Sequence, residues 1–89
     1  MASNVNATVT ELNPIGGATN SGYKVGFLDS ATKTAQNDTI TITNASAVIW
    51  VDISVDSTGA SETNTVATNV ITCTSAATSA TMSGLVLYR

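Results

Sequence analysis

"DTITITNASAVIWVDISVD", residues 38–56, is the stretch whose reading decides the fold. From Thr39 to Thr43, threonine alternates with isoleucine. From Val48 to Asp56, Ile49, Val51, Ile53 and Val55 fall on one face, and Trp50, Asp52, Ser54 and Asp56 on the other. Side chains of an extended chain alternate between two faces, so each arm predicts a strand with one apolar and one polar side. Asn44-Ala45-Ser46 separates the arms with turn-forming residues, and the whole stretch predicts a β-hairpin.

The same period runs outward in both directions. In residues 4–12, Val5, Ala7 and Val9 oppose Asn6, Thr8 and Thr10. "NPIGGATNSG" (13–22) predicts a loop, with Gly16–Gly17 permitting a reversal. "YKVGFLD" (23–29) sets Tyr23, Val25 and Phe27 against Lys24, Gly26 and Leu28, and "SATKTAQN" (30–37) reads as a polar connection. "STGASE" (57–62) turns the chain. Residues 63–67 and 70–74 then form a hairpin about Thr68-Asn69, where Asn suits a positive φ. "SAATSATMS" (75–83) predicts a loop or extended segment, and "GLVLYR" (84–89) a last strand. About seven short strands with turns every 8–12 residues predict an all-β domain over 1–89, a small antiparallel β-sandwich or barrel. Residues 1–12 are an extended N-terminal arm or an edge strand. The expected core is Val25, Phe27, Ile40, Ile42, Ile49, Val51, Ile53, Val55, Leu85 and Leu87.

Composition narrows the function. A chain of 89 residues buries only about 60–65% of its unfolded surface, and small scaffolds commonly need a staple. Cys73 is the one cysteine and histidine is absent, so a disulfide within the chain and a Cys/His metal cluster are excluded. Association with other chains is the staple left. Charged residues are 10% of the chain, against about 25% in an ordinary soluble domain, and Thr, Ser and Asn stand in their place. A net charge of −3 disfavours a phosphate backbone, so no nucleic-acid partner is expected. No apolar run approaches the roughly 18 residues of a membrane helix, so no membrane partner is expected. The opening "MASNVNATV" lacks the features of a secretory signal, which predicts cytoplasmic synthesis without signal-dependent export.

Catalytic chemistry finds little purchase. The abundant hydroxyls have no histidine to activate them, the two lysines are expected in exposed strand or loop contexts, and Cys73 reads as a small buried apolar residue. Asp52 and Asp56 share a strand face and read as solvated acids. "DSTGASE" places oxygen ligands around a glycine, which makes Asp56 and Glu62 the one weak candidate pair for calcium. No cofactor, catalytic residue or firm metal ligand is assigned. Both ends of the chain read as strands with few charges, and such edges are open to strand addition. Met1 to Leu12 is therefore the segment expected to reach a neighbour. Val5, Val9, Trp50 and Tyr88 are the candidate interface residues.

"MASNVNATVTEL", "SGYKVGFLD", "DTITITNASAVIWVDIS" and the terminal "MSGLVLYR" together resemble the small all-β decoration (cement) proteins that coat the heads of tailed bacteriophages and related viruses. The resemblance covers most of the chain in pattern and composition and rests on no invariant motif. It implies a non-enzymatic virion protein on the outer capsid surface that binds the major capsid protein, associates with itself, commonly as a trimer, and reinforces the shell. The rival readings are a filament or adhesin subunit, another virion part such as a tail or fibre domain, and a sugar-binding module.

Overall fold

The computed structural model describes residues 2–14, 22–76 and 80–89. Eight strands follow in chain order: β1 (Asn4–Ala7), β2 (Thr10–Pro14), β3 (Lys24–Lys33), β4 (Thr39–Ile42), β5 (Val48–Val55), β6 (Asn64–Ala67), β7 (Val70–Cys73) and β8 (Ala80–Tyr88). They form two four-stranded sheets. Sheet I has the order β1-β4-β7-β6 and sheet II the order β2-β3-β8-β5. The all-β sandwich expected from the alternation is what forms, and the described residues include no helix. The Gly16–Gly17 reversal lies outside the described residues.

The deciding stretch does not make a hairpin. β4 pairs with β1 and β7 in sheet I, whereas β5 pairs with β8 in sheet II. The turn at Asn44–Ala47 is thus a crossing between sheets, with Ile40 and Ile42 of β4 and Val48, Ile53 and Val55 of β5 buried between them. The N-terminal segment crosses in the same way. Its predicted single strand splits at Thr8–Val9 into β1 and β2, one for each sheet. β1 runs parallel to β4, the one parallel pair among the described residues, whose other ladders are antiparallel.

Sheet I obeys its alternation. Val5, Ile40 and Ile71 form one row across its inner face, continued at the β6 edge by the exposed Val66, and Asn4, Thr39, Thr72 and Thr65 form the matching row outside. Sheet II breaks the alternation at three β-bulges. The register slips between Glu11 and Asn13 in β2, between Leu28 and Ala31 in β3, and between Val48 and Trp50 in β5. Each bulge adds one unpaired residue and reverses which parity faces inward. Val48 is therefore buried, as are Ile53 and Val55, while Ile49 is 48% exposed.

These shifts correct the expected core. Ile40, Ile42, Ile53 and Val55 are buried and Val51 packs against them. Phe27, Ile49 and Leu85 are exposed, and Val25 and Leu87 are half-buried. Leu28, Met82, Val86 and Tyr88 take their places in the core. β3 and β8 are apolar on both faces ("FL", "LVLY"), so periodicity alone could not choose the inward phase. Gly84 contributes to the choice. A methyl group there would run into the backbone of Asp52 and Ile53, so β5 and β8 come close only because this position is glycine.

"SATKTAQN" is not merely a connection. β3 runs through it to Lys33, which the bulge turns inward. The Thr68-Asn69 hairpin forms as expected, but Thr68, rather than Asn69, takes the positive φ, at 55°. The hairpin tip is clamped to the sheet crossing, because Ile42 N–H donates to the Asn69 carbonyl and Val48 N–H to that of Thr68, at 2.9 and 2.7 Å.

Two outcomes check this account. Ile53→Ala should cost about 2–5 kcal/mol in denaturant unfolding, whereas Ile49→Ala should stay within roughly 0.5 kcal/mol. Equal losses at both positions would refute the β5 bulge. Thr68→Asn should stabilise by about 1 kcal/mol, since a β-branched residue in the left-handed region carries strain that asparagine largely avoids.

Candidate functional site

Polar side chains converge at one place inside the sandwich. Lys33 ends β3 in sheet II, Glu62 lies on the crossing between β5 and β6, and Ser75 follows β7 in sheet I. The side chains of Lys33 and Glu62 are fully buried. Lys33 Nζ donates to Glu62 Oε2 at 3.1 Å, to Oε1 at 3.3 Å and to Ser75 Oγ at 2.9 Å, and also to the Ser75 carbonyl. Ser75 N–H and Oγ–H donate back to the Glu62 carboxylate at 2.8 and 2.7 Å. Burial pushes the Glu62 carboxyl up, but the Ser75 hydroxyl and amide and the Lys33 ammonium outweigh it and hold the group below its ordinary value.

This arrangement corrects two expectations. Lys33 is not an exposed lysine, and Glu62 is not a solvated ligand past a turn. Glu62 spends both carboxylate oxygens on Lys33 and Ser75, while Asp56 is exposed and accepts from Ser83 Oγ at 3.2 Å. The two acids of "DSTGASE" are committed to different partners, and the described residues contain no group of three or more metal-ligating side chains. Cys73 is buried, as expected, and burial raises its thiol to about 11. The missed signal was a lysine and a glutamate in a chain of only nine charged residues. What hid it was the β3 bulge, which no periodicity foretells.

A second acid anchors the N-terminal strand. Asp38 accepts from the N–H of Ser3, Thr34 and Ala35 at 2.7, 2.7 and 3.0 Å. The backbone N–H of Ser3 and Thr34 lead in holding its carboxyl well below the usual carboxylate range. Residues 4–14 are therefore edge strands of both sheets and not a free arm. Val9 is buried, with its N–H and C=O bonded to the Asn44 side chain, and Val5 is half-buried against Ile40.

The surfaces left outside are the two sheet faces. Trp50 is 54% exposed on the outer face of sheet II. Tyr88 is not: at 2% exposure it lies in the core, because its neighbours Leu87 and Arg89 hold the outward phase. Rows of ladder partners define this face. Val25, Leu87 and Trp50 form one row, and Phe27, Leu85 and Asp52 the next, with the bulge residues Leu12 and Ile49 exposed at the two edge strands. Sheet I presents the opposite chemistry. Across the row from Asn4 to Thr65 its outer face is uncharged, and Thr39 and Thr41 hydroxyls donate to Asn4 Oδ1 at 2.8 and 3.0 Å. Among the described residues no pocket forms. Comparison with protein-family models, with curated proteins and with solved structures found no match.

The buried pair predicts a thermodynamic cycle. Lys33→Met alone should cost about 3–5 kcal/mol, because Glu62 is left charged and unpaired in the core. Adding Glu62→Gln should recover most of that loss, since the amide can accept from Ser75 N–H and donate to the Ser75 carbonyl. Glu62 and Asp38 are both depressed in the folded state, so their contribution is present above the ordinary carboxylate range. It is lost as pH falls through the folded values. Wild-type stability should therefore drop between about pH 5 and pH 2, and less steeply in the double variant.

Proposed function

We propose that this chain is a non-enzymatic structural protein of a viral shell, a decoration subunit on the outer head surface. Its partners are the major capsid protein and neighbouring copies of itself. The observation that carries the reading is the outer face of sheet I, an uncharged threonine and asparagine array backed by a sandwich whose other outer face is apolar. Charge on such a face would make crowded copies repel one another, while hydroxyls satisfy their own hydrogen bonds and give strand propensity. The interior supports the same reading, because Lys33, Glu62 and Ser75 are consumed in holding the sheets together.

Attachment to the shell is assigned to the outer edge of β1, which no other described strand pairs. Thr39 and Thr43 N–H donate to the carbonyls of Ser3 and Ala7, so odd-numbered residues of this parallel strand face β4. The backbone groups of Asn4 and Asn6 face away, and a strand from the shell can add to them.

Purified protein should bind saturably to heads lacking it and raise their resistance to heat-induced rupture. Asn6→Pro removes an N–H that β4 does not use, so the fold should persist while binding falls by about tenfold or more. Failure of the wild-type protein to bind such heads at any ratio would overturn the function. Unchanged binding by Asn6→Pro would overturn the β1 edge as the attachment point.

A further inference from the structure

Residues 3–7 are fastened to one element only. Thr39 and Thr43 N–H donate to the Ser3 and Ala7 carbonyls at 2.9 and 2.8 Å. Ser3 N–H donates to Asp38, and the Thr39 and Thr41 hydroxyls donate to Asn4 Oδ1. Among the described residues, every hydrogen bond that leaves this segment ends within residues 38–43. None of the four β1 side chains is fully buried. The chain beyond is held differently. Val9 is buried, and the Asn44 side chain takes both its N–H and its C=O. Exposed Thr8 lies between the two. β1 is therefore a strap hinged at Thr8, whose release leaves β2 and sheet II in place. We propose that β1 is an exchanged strand: it leaves β4 of its own copy and pairs with β4 of a second copy, each copy giving one strand and accepting one.

The β4 edge specifies this occupant. Stripped of β1, it presents the Thr39 and Thr43 N–H beside the core residues Ile40 and Ile42. A strand that fits must bring an amide to Asp38, an acceptor shared by Thr39 and Thr41, and small apolar side chains at two inward positions. Ser3, Asn4, Val5 and Ala7 supply that set. The β1 of another copy carries the same set and re-forms every bond, so exchange sacrifices no contact.

What opposes exchange is the freedom that two molecules lose on joining. Copies held side by side on a shell have already lost it, and neighbours there meet at effective concentrations in the millimolar range. The reach suffices. Six extended residues, Ser3 to Thr8, span about 20 Å, and the thinnest dimension of the molecule is 16 Å. A visiting strand still turns the backbone of Asn4 and Asn6 outward, so the edge assigned to the shell is kept.

This inference rests on the proposed function only in placing copies side by side, and its test uses the free protein. Hydrogen exchange on the full chain reads the hinge. Thr39 and Thr43 N–H are bonded to β1, but Ile42 N–H donates to the Asn69 carbonyl. Relative to their unprotected rates, the two threonine amides should exchange about tenfold or more faster than that of Ile42, because β1 opens as a unit. Equal protection at all three would overturn the hinge.

Paired cysteines read the exchange itself. Asn6 and Thr41 are ladder partners, and the Cys73 thiol is buried. Asn6→Cys and Thr41→Cys in one chain should close a disulfide within it. In separate, isotopically distinguishable chains mixed at about 1 mM, they should link the two copies. The yield should be about tenfold above that of Asn6→Cys mixed with Thr65→Cys, an exposed position on β6. Matching yields, or no link between copies although the single chain closes, would overturn the exchange. Linked copies that never bind heads would sink the shell function alone. Unlinked copies that do bind heads would sink the exchange alone.

Discussion

An ammonium and a carboxylate with no access to water cost several kcal/mol each to bury, and only mutual contact and complete hydrogen bonding offset that cost. Lys33 and Glu62 meet this requirement with Ser75, across three places in the chain that local structure would not bring together. The consequence is a geometric constraint. β3 must end where the chain crosses from β5 to β6, and the segment after β7 must close over both. In a sandwich this small the apolar core alone leaves a thin margin, so a polar contact with one acceptable geometry sets how the sheets align.

The bulges are what let that constraint be met. Leu28 and Ala31 both face inward although three positions apart, and only the inserted residue in β3 makes this possible. Without it Lys33 would point to solvent with Phe27. The bulge in β5 acts likewise, bringing Val48 inward and sending Ile49 out beside Trp50. All three irregularities fall in sheet II, so that sheet gains both the buried lysine and the apolar outer surface. Sheet I keeps a regular ladder and a neutral hydroxyl face. The β3 bulge therefore accounts for the interior clamp, and the β5 bulge for the exposure of Ile49 beside Trp50.

The edges follow the same division. β5 borders sheet II, yet Val48 N–H donates to Thr68, Val55 N–H to Ala60, and the Ile53 carbonyl accepts from Glu62. That edge is largely occupied by its own chain, which turns attention to the face and away from strand addition there. β1 is the reverse: its inward groups are bonded to β4 and its side chains bury little, and among the described residues no strand pairs the backbone of Asn4 and Asn6 on the other side.

The sequence by itself determined that this domain is all-β, that the chain turns after Thr43 and about Thr68-Asn69, which side of sheet I is apolar, that Cys73 is buried and that Trp50 faces out. These follow from side-chain alternation and turn chemistry, which act within a few residues. Only the tertiary structure decided that β4 and β5 part company, that β1 lies parallel to β4, and that Tyr88 goes inside while Leu85 goes outside. In β3 and β8 both phases are apolar, so the local free energies nearly balance, and the choice passes to contacts between distant segments. Gly84 against the backbone of Asp52, and Lys33 against Glu62 and Ser75, are such contacts. They join residues 29 to 42 positions apart, a separation at which no repeating pattern in the chain carries information.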